Sequence, residues 1–375
     1  MPASKYLLRG LAAGLIGFAL SACGPKGLPV PEGAVTVPDR VAPDALLPLI
    51  RSIELVPLET RDESLLALND LLPASDGYIA VDRRNARLLH FSQDGRFLNT
   101  VGMYGRGPQE YGNLSTLQVQ DGLVRVFSHG SNHLTTFRED GTFVSQEETP
   151  ESAMHWWTVP EGSLLYMGYY TPGTALLKLL RPDGTQEELV PRPVQDLIVT
   201  IGGTVFSANG GDVFFFPDWA QEVYRYRDGA VEPRLEMDFG PEGIGDEIYD
   251  AADVWAAVSE KMKAGLSYVY RYFESDRMRL VVCAHERQPE GTHLVESVYK
   301  NGLFLGGKWT WFGQTEDDLI HWKILYLEGD ALVCSAPPSD LLELDPVLRD
   351  KLADRSVLEA LSEEDNDVIV KIHLK

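Results

Sequence analysis

Short apolar runs separated by polar turns recur along most of the chain. Tyr78-Ile79-Ala80-Val81 follows Asp76-Gly77, and Leu88-Leu89-His90-Phe91 then leads to Asp94-Gly95-Arg96-Phe97. The same order returns as Asp121-Gly122, Leu123-Val124-Arg125-Val126-Phe127, Leu134-Thr135-Thr136-Phe137 and Asp140-Gly141. A third copy closes at Asp183-Gly184. A fourth runs from Gly211-Asp212 through Val213-Phe214-Phe215-Phe216 and Val223-Tyr224-Arg225-Tyr226 to Asp228-Gly229. Apolar alternation broken by Asp-Gly predicts strands joined in hairpins, because Gly supplies the positive φ of a tight primed turn without strain. Asp94, Asp140, Asp183 and Asp228 stand 46, 43 and 45 residues apart. A period of roughly 40–50 residues holding several strands predicts a β-propeller.

The next comparable turn, Asn301-Gly302, comes 73 residues after Asp228. The excess has a filler. From Asp246 to Ala264, Ile248, Ala251, Trp255, Val258 and Met262 recur at helical spacing, which predicts one amphipathic surface helix stopped by Gly265. The insertion spans about residues 243–266, between the fourth and fifth units. A sixth unit is expected from Ile324–Val333 and a C-terminal strand, Val368–Leu374. The early run Ile53–Leu58 is expected to pair with that last strand, which would remove an exposed sheet edge. The expected architecture is therefore all-β: a six-bladed β-propeller over residues 49–375 with a helical insertion. Seven blades would require strands where the periodicity is helical.

The N-terminus follows a different pattern. Lys5 and Arg9 precede Gly10–Leu20, an uncharged apolar run about half the ~20 residues needed to cross a bilayer. The following Leu20-Ser21-Ala22-Cys23 resembles the lipobox of bacterial lipoproteins. The resemblance implies a signal peptide over residues 1–22, cleavage before Cys23, a thiol carrying diacylglycerol and an acylated amino group, palmitate being the usual acyl chain. An ordinary secretory signal beside a chance Cys is the alternative. Several acyl chains, each contributing ~0.8 kcal/mol per buried methylene, would anchor the chain durably. Residues 23–48, dense in Pro and Gly at their start, are expected to be an extended tether.

Charge narrows the partners. The 375 residues carry 33 Lys or Arg against 56 Asp or Glu, a formal charge of −23 that becomes −25 once Lys5 and Arg9 are removed. Such an excess repels phosphate backbones, which excludes general nucleic-acid binding. Cys283 and Cys334 each sit inside an apolar run and are expected to be buried small hydrophobes, with a disulfide between them left open.

The chain also resembles a known group, the six-bladed β-propeller lipoproteins common in Bacteroidetes and related to NHL-type propellers. The residues that carry the resemblance are Val56-Pro57-Leu58-Glu59-Thr60, Leu98-Asn99-Thr100-Val101-Gly102 and Gly105-Arg106-Gly107-Pro108-Gln109-Glu110-Tyr111. Tyr224–Gly229 with Met237-Asp238-Phe239-Gly240, and Glu364-Asp365-Asn366-Asp367-Val368, complete it. Gln109 stands where the group has Gly, and Asp367 where Pro is usual. The resemblance implies fold and export rather than an activity, since propellers host many chemistries.

Candidate chemistry is sparse. There is no His-Glu-x-x-His, Gly-x-Ser-x-Gly, phosphate-binding Gly-Lys loop or Cys-x-x-Cys. His129 and His133 flank a turn and read as solvated loop rather than metal ligands. The acidic run Glu363–Asp367 lacks the Gly and distal Glu of a calcium loop. No cofactor and no metal site are expected. The Gly105–Tyr111 loop supports two readings. Arg106 and Glu110 could present a charged fork, with Tyr104 and Tyr111 as stacking platforms, or the loop could be an inter-blade turn in which Glu110 pairs internally. Of the tryptophans, the adjacent Trp156 and Trp157 are the better surface candidates, because neighbours on a strand point to opposite faces.

Three functions compete. The first is a non-catalytic binding or scaffold lipoprotein of the cell envelope, holding a protein or glycan. The second is an accessory subunit of an outer-membrane nutrient-uptake complex, and the third a hydrolase or lyase working in the propeller channel. Gly24 is not the Asp that retains lipoproteins at the inner membrane, and no acidic cluster follows Cys23. The expected location is the outer membrane, facing the periplasm, with the cell surface as the alternative.

Overall fold

The computed structural model describes residues 34–36, 45–149, 152–168, 173–192, 204–287, 291–300, 303–311, 314–315 and 322–375. The signal, Cys23 and the Asn301-Gly302 turn lie outside them. The apolar runs are strands, and successive strands assemble into sheets. Asp70–Pro73, Gly77–Asp82, Arg87–Ser92 and Phe97–Thr100 make the first sheet. Thr116–Gln120, Leu123–Ser128, His133–Arg138 and Phe143–Glu148 make the second. The third holds His155–Val159, Gly162–Tyr166, Ala175–Leu180 and Gln186–Pro191. The fourth holds Phe206–Asn209, Asp212–Phe215, Glu222–Arg227 and Ala230–Asp238. Leu266–Glu274, Met278–Arg287, Gly291–Lys300, Leu303–Trp311 and Gln314–Thr315 form the fifth. The last joins Lys323–Glu328, Ala331–Ala336 and Val368–Leu374 to Ile50–Pro57 from the start of the chain. A meander of four strands is the blade unit, and the fold is an all-β propeller with few helices.

Packing divides the strands into two compact units, one drawn from Ala42–Thr158 and Thr315–Lys375, the other chiefly from Val159–Gln314. In the first, Ile79, Val81, Val124, Val126 and Phe137 fill the core. In the second, Phe214, Val223, Leu235, Tyr272 and Val281 do so. Every residue of Gly77–Asp82 and of Ala331–Ala336 is buried, which explains why these strands read as continuous apolar runs.

The four Asp-Gly turns that set the period, at Asp94, Asp140, Asp183 and Asp228, are of two kinds. Asp228 and Gly229 both have positive φ, 50° and 81°, as a primed two-residue hairpin requires. At the other three, only Gly95, Gly141 and Gly184 are left-handed, with φ of 82°, 86° and 84°. Each of those glycine amides donates three residues back, to Ser92, Arg138 and Arg181, so the turn is a longer one in which Gly follows a type I bend. The primed-turn expectation is corrected there. Threonine amides at 142 and 185 donate to Asp140 and Asp183, and with their side chains hold these carboxyls below the usual carboxylate range.

The early strand pairs with the last one as expected, from Ile50 opposite Leu374 to Pro57 opposite Val368. Sequence patterning missed what covers its other edge. Ile53 donates to Lys351 O and accepts from Ala353 N, so a segment of short helices, Pro338–Leu342, Pro346–Arg349 and Ser356–Ala360, supplies the partner. Buried Asn366 ties the ends together. Its side chain accepts from Leu66 N at 3.0 Å and donates to the carbonyls of Glu59 and Ser64, each at 3.0 Å. The motif segments Val56–Thr60 and Glu364–Val368 are thus neighbours. Gly95 meets them because the carbonyl of Pro57 lies 2.0 Å from where a Cβ would stand.

Three expectations are corrected here. The insertion is not one helix but two, Asp246–Tyr249 and Val254–Ala264, because Asp253 accepts from Ala256 N and caps the second. Trp255, placed on the buried stripe, is 56% exposed, while Ile248 and Val258 are buried. Part of the segment expected to be a tether is docked rather than free, since Val35-Thr36, still extended, pairs with Met237-Asp238 along the fourth sheet. Gly265 does end the helix, its amide donating to Lys261 O at 2.8 Å. Cys283 and Cys334 are both buried and neither forms a disulfide; burial pushes the Cys283 thiol up. Among the described residues no helix is long and apolar enough to cross a membrane.

Candidate functional site

Between the first and second sheets the chain folds back on itself. Gly105 N donates to Tyr111 O and Tyr111 N to Met103 O, pinching the loop at its base. Inside it, Glu110 N donates to Gly107 O, and Gly107 N donates 2.7 Å to a Glu110 carboxylate oxygen. A Cβ at Gly105 would stand 1.9 Å from that carboxylate, so glycine makes room for the return of Glu110. Glu110 is therefore held by backbone rather than by Arg106, and the internal pairing predicted for the inter-blade turn is what the loop shows.

The second sheet supports this loop from below. Ser128 Oγ accepts from Gly112 N and Asn113 N at 3.0 and 3.1 Å, and donates to Asn113 O. Gln146 Nε2 donates to Glu110 O at 2.9 Å. The result is an open cleft of about 530 Å³, walled by Tyr104, Arg106, Glu110, Asn113, His129 and His133 among others. That volume lies in the range of small-molecule sites, roughly 300–1,000 Å³. Tyr104 in its wall is 61% exposed, and Arg106 is exposed beside it.

The sequence candidates separate. Tyr104, Arg106 and Glu110 share the cleft. Tyr111 does not: it is buried, donates to Ala86 O at 3.0 Å, and burial pushes its hydroxyl up to about 12. Trp156 and Trp157 are not surface residues either, being 7% and 9% exposed. The rule that neighbours point oppositely holds, but both faces of this strand are covered, and Trp156 stacks on Phe127 with ring centres 6.0 Å apart. His129 and His133, read as plain loop, line the cleft. Their spacing around a tight hairpin was the available signal.

The chain matches one family model, described as a domain of unknown function (DUF4934), over residues 41–373. It belongs to that family. No curated protein matches the DUF4934 chain. Among solved structures it is similar to a Bacteroides fragilis protein described as exported, at 16% identity and a TM-score of 0.63, covering 91% of this chain and 99% of that one. It is also similar to a DUF4221 member from Bacteroides vulgatus, at 9% identity and a TM-score of 0.51, covering 87% and 98%. At such identities the likeness is one of fold. The comparisons thus supply a family and a likeness of fold.

Behind the cleft lies a titrating group. His155 Nδ1 is 2.8 Å from Thr116 Oγ1, and burial, with His129 and Arg83 nearby, pushes the imidazole down to about 4. An unfolded chain takes up that proton near pH 6.5. Unfolding therefore binds a proton, so this contribution to stability is whole above pH 6.5 and is lost as the pH falls towards 4, by about 3 kcal/mol at most. Denaturant unfolding at pH 7 and pH 4.5 is expected to show a smaller loss in His155→Asn than in the parent chain. An equal loss in both would remove His155 as the cause.

Proposed function

We propose that the chain is an exported, lipid-anchored, non-catalytic binding protein of the cell envelope, whose Tyr104 cleft takes a polar ligand, a glycan in the first instance. The observation that carries this reading is the exposed pair Tyr104 and Arg106 on a loop braced by its own hydrogen bonds, beside a cleft walled by imidazole and amide groups. An aromatic face next to fixed polar groups suits a sugar ring, which is apolar on its faces and polar at its edge. The groups in the walls are not arranged for acyl or glycosyl transfer. His129 Nδ1 meets Ala153 O, Ser131 Oγ donates to Ser128 O, and Glu110 caps Gly107. Among the described lining residues no hydroxyl is hydrogen-bonded to an imidazole.

Six blades are part of this reading, supported by the six sheets among the described residues and by the strand shared between the chain's two ends. Residues 1–22 are the signal, 23–48 the tether and 49–375 the propeller in this scheme. Cys23 carries the anchor, and the outer membrane facing the periplasm is the location. Export also agrees with the description of the Bacteroides fragilis protein of like fold.

Two linked measurements test it. Palmitate labelling and fractionation are expected to place the parent chain in the outer membrane, and Cys23→Ser in the soluble periplasm without label. On a glycan array, Tyr104→Ala and Arg106→Ala are each expected to weaken binding by at least about tenfold, a loss of roughly 1.4 kcal/mol, with unchanged melting temperature. A membrane-bound Cys23→Ser chain would overturn the anchor. Undiminished binding in both cleft variants would overturn the cleft.

A further inference from the structure

Away from the cleft, Asp76, His90 and Glu139 converge. Asp76 precedes the strand Gly77–Asp82, His90 lies on Arg87–Ser92, and Glu139 follows His133–Arg138. His133 opens that last strand at the cleft, so roughly 20 Å of extended chain separates the two places at ~3.3 Å per residue. One ligand-type atom from each of Asp76, His90 and Glu139 lies within 4.8 Å of the other two. The His90 side chain is 4% exposed and that of Asp76 is 65% exposed, so a buried imidazole looks out past a solvent-facing carboxylate.

The ring nitrogens of His90 carry the argument. Both are buried, and neither makes a well-aligned hydrogen bond. Nε2 lies 2.9 Å from Asp76 Oδ1, near enough for attraction but without hydrogen-bond alignment. A buried polar nitrogen left so is unfavourable, whereas a metal ion would use its lone pair directly. Glu139 is already oriented as a ligand would be. Ser75 N donates to its Oε1 at 3.0 Å, Ser75 Oγ donates to Oε2, and Asn99 Nδ2 donates to its backbone carbonyl at 2.9 Å. Such outer-shell bonds fix ligating carboxylates. The adjacent Asp140 is engaged with Thr142 N and stays out of the set.

The geometry points to a site for a first-row divalent cation, zinc in the first instance, held by Asp76, His90 and Glu139 with a further position open to water. Two carboxylates balance a divalent charge, and one imidazole favours a borderline ion over calcium, which takes six to eight oxygens. Three protein ligands and an open position are the pattern of accessible rather than closed zinc sites.

Titration of the full chain in mild detergent, after chelator treatment, with zinc chloride tests this directly. The expected result is one zinc per chain and a melting temperature that rises with zinc and not with magnesium. Cobalt in place of zinc should give visible absorption bands that zinc abolishes. Asp76→Asn, at an exposed position, should leave the metal-free melting temperature unchanged and weaken zinc binding by at least about tenfold, as should Glu139→Gln. His133→Ala, in the cleft, should bind zinc as the parent does. Absence of stoichiometric binding, or equal affinity in parent, Asp76→Asn and Glu139→Gln, would overturn the site. Should Glu139→Gln fail to fold, Asp76→Asn alone decides.

Discussion

A chain ending at Asp367 is expected not to fold. The lost strand, Val368–Leu374, lies inside its sheet, between Ile50–Pro57 on one side and Ala331–Ala336 on the other. Its removal takes away the ladder partner of both neighbours and splits the sheet. Val368, Ile369, Val370, Ile372 and Leu374 are each 0% exposed. Burying one such side chain contributes roughly 1.5–3 kcal/mol. Five of them contribute on the order of 10 kcal/mol, comparable with the 5–15 kcal/mol that holds a typical protein folded. Circular dichroism and thermal melting are expected to show no cooperative transition, whereas a chain lacking only Lys375, which gives up its hydrogen bonds to Pro48 O and Leu49 O, should still melt cooperatively. A truncated chain melting within a few degrees of the parent would show that the pairing of the two chain ends is dispensable.

Replacing Glu274 is expected to be the most damaging single substitution at a charged position. Its carboxylate is buried among Arg234, Arg279 and Tyr272 in the second compact unit. Arg234 Nε donates to Glu274 Oε2 at 2.9 Å, its Nη2 donates to Oε1, and the Tyr272 hydroxyl donates to Oε2. Arg279 reaches the same oxygen at 3.3 Å and Tyr272 Oη at 2.8 Å. Two guanidiniums, 2% and 3% exposed, thus converge on one carboxylate. Glu274→Ala leaves both cations buried without it, at a cost of about 3–5 kcal/mol. At ~2–4 °C per kcal/mol for a unit of this size, melting should fall by on the order of 10 °C. Glu274→Gln keeps an acceptor for the same donors and should lose less. A fall within 2 °C for Glu274→Ala would mean that water reaches and solvates the cluster.

Much of the architecture was legible because its signals are local. An Asp-Gly step, the apolar run on each side and the distance to the next such step all lie within a few dozen residues. Even the pairing of Ile53–Leu58 with the C-terminal strand could be read, since an unmatched strand at each end leaves an edge to be covered. The break in the insertion was less visible. Apolar spacing ran on through Ala251 to Trp255, and a single capping bond from Asp253 outweighed it.

Burial and convergence were decided elsewhere. Trp156 and Trp157 were bound by alternation to face opposite ways, but whether each face met solvent depended on what packed against it. Tyr111 and Glu110 are neighbours in one motif, yet one became core and the other a clasp on Gly107. Asp76, His90 and Glu139 are separated by turns and strands of two sheets, and no spacing along the chain brings them together. Period, strands and turns follow from short-range sterics and hydrophobic alternation, which neighbouring residues carry with them. The cleft and the buried imidazole follow from which faces are covered and which side chains meet across sheets, and those contacts exist only once the chain has closed on itself.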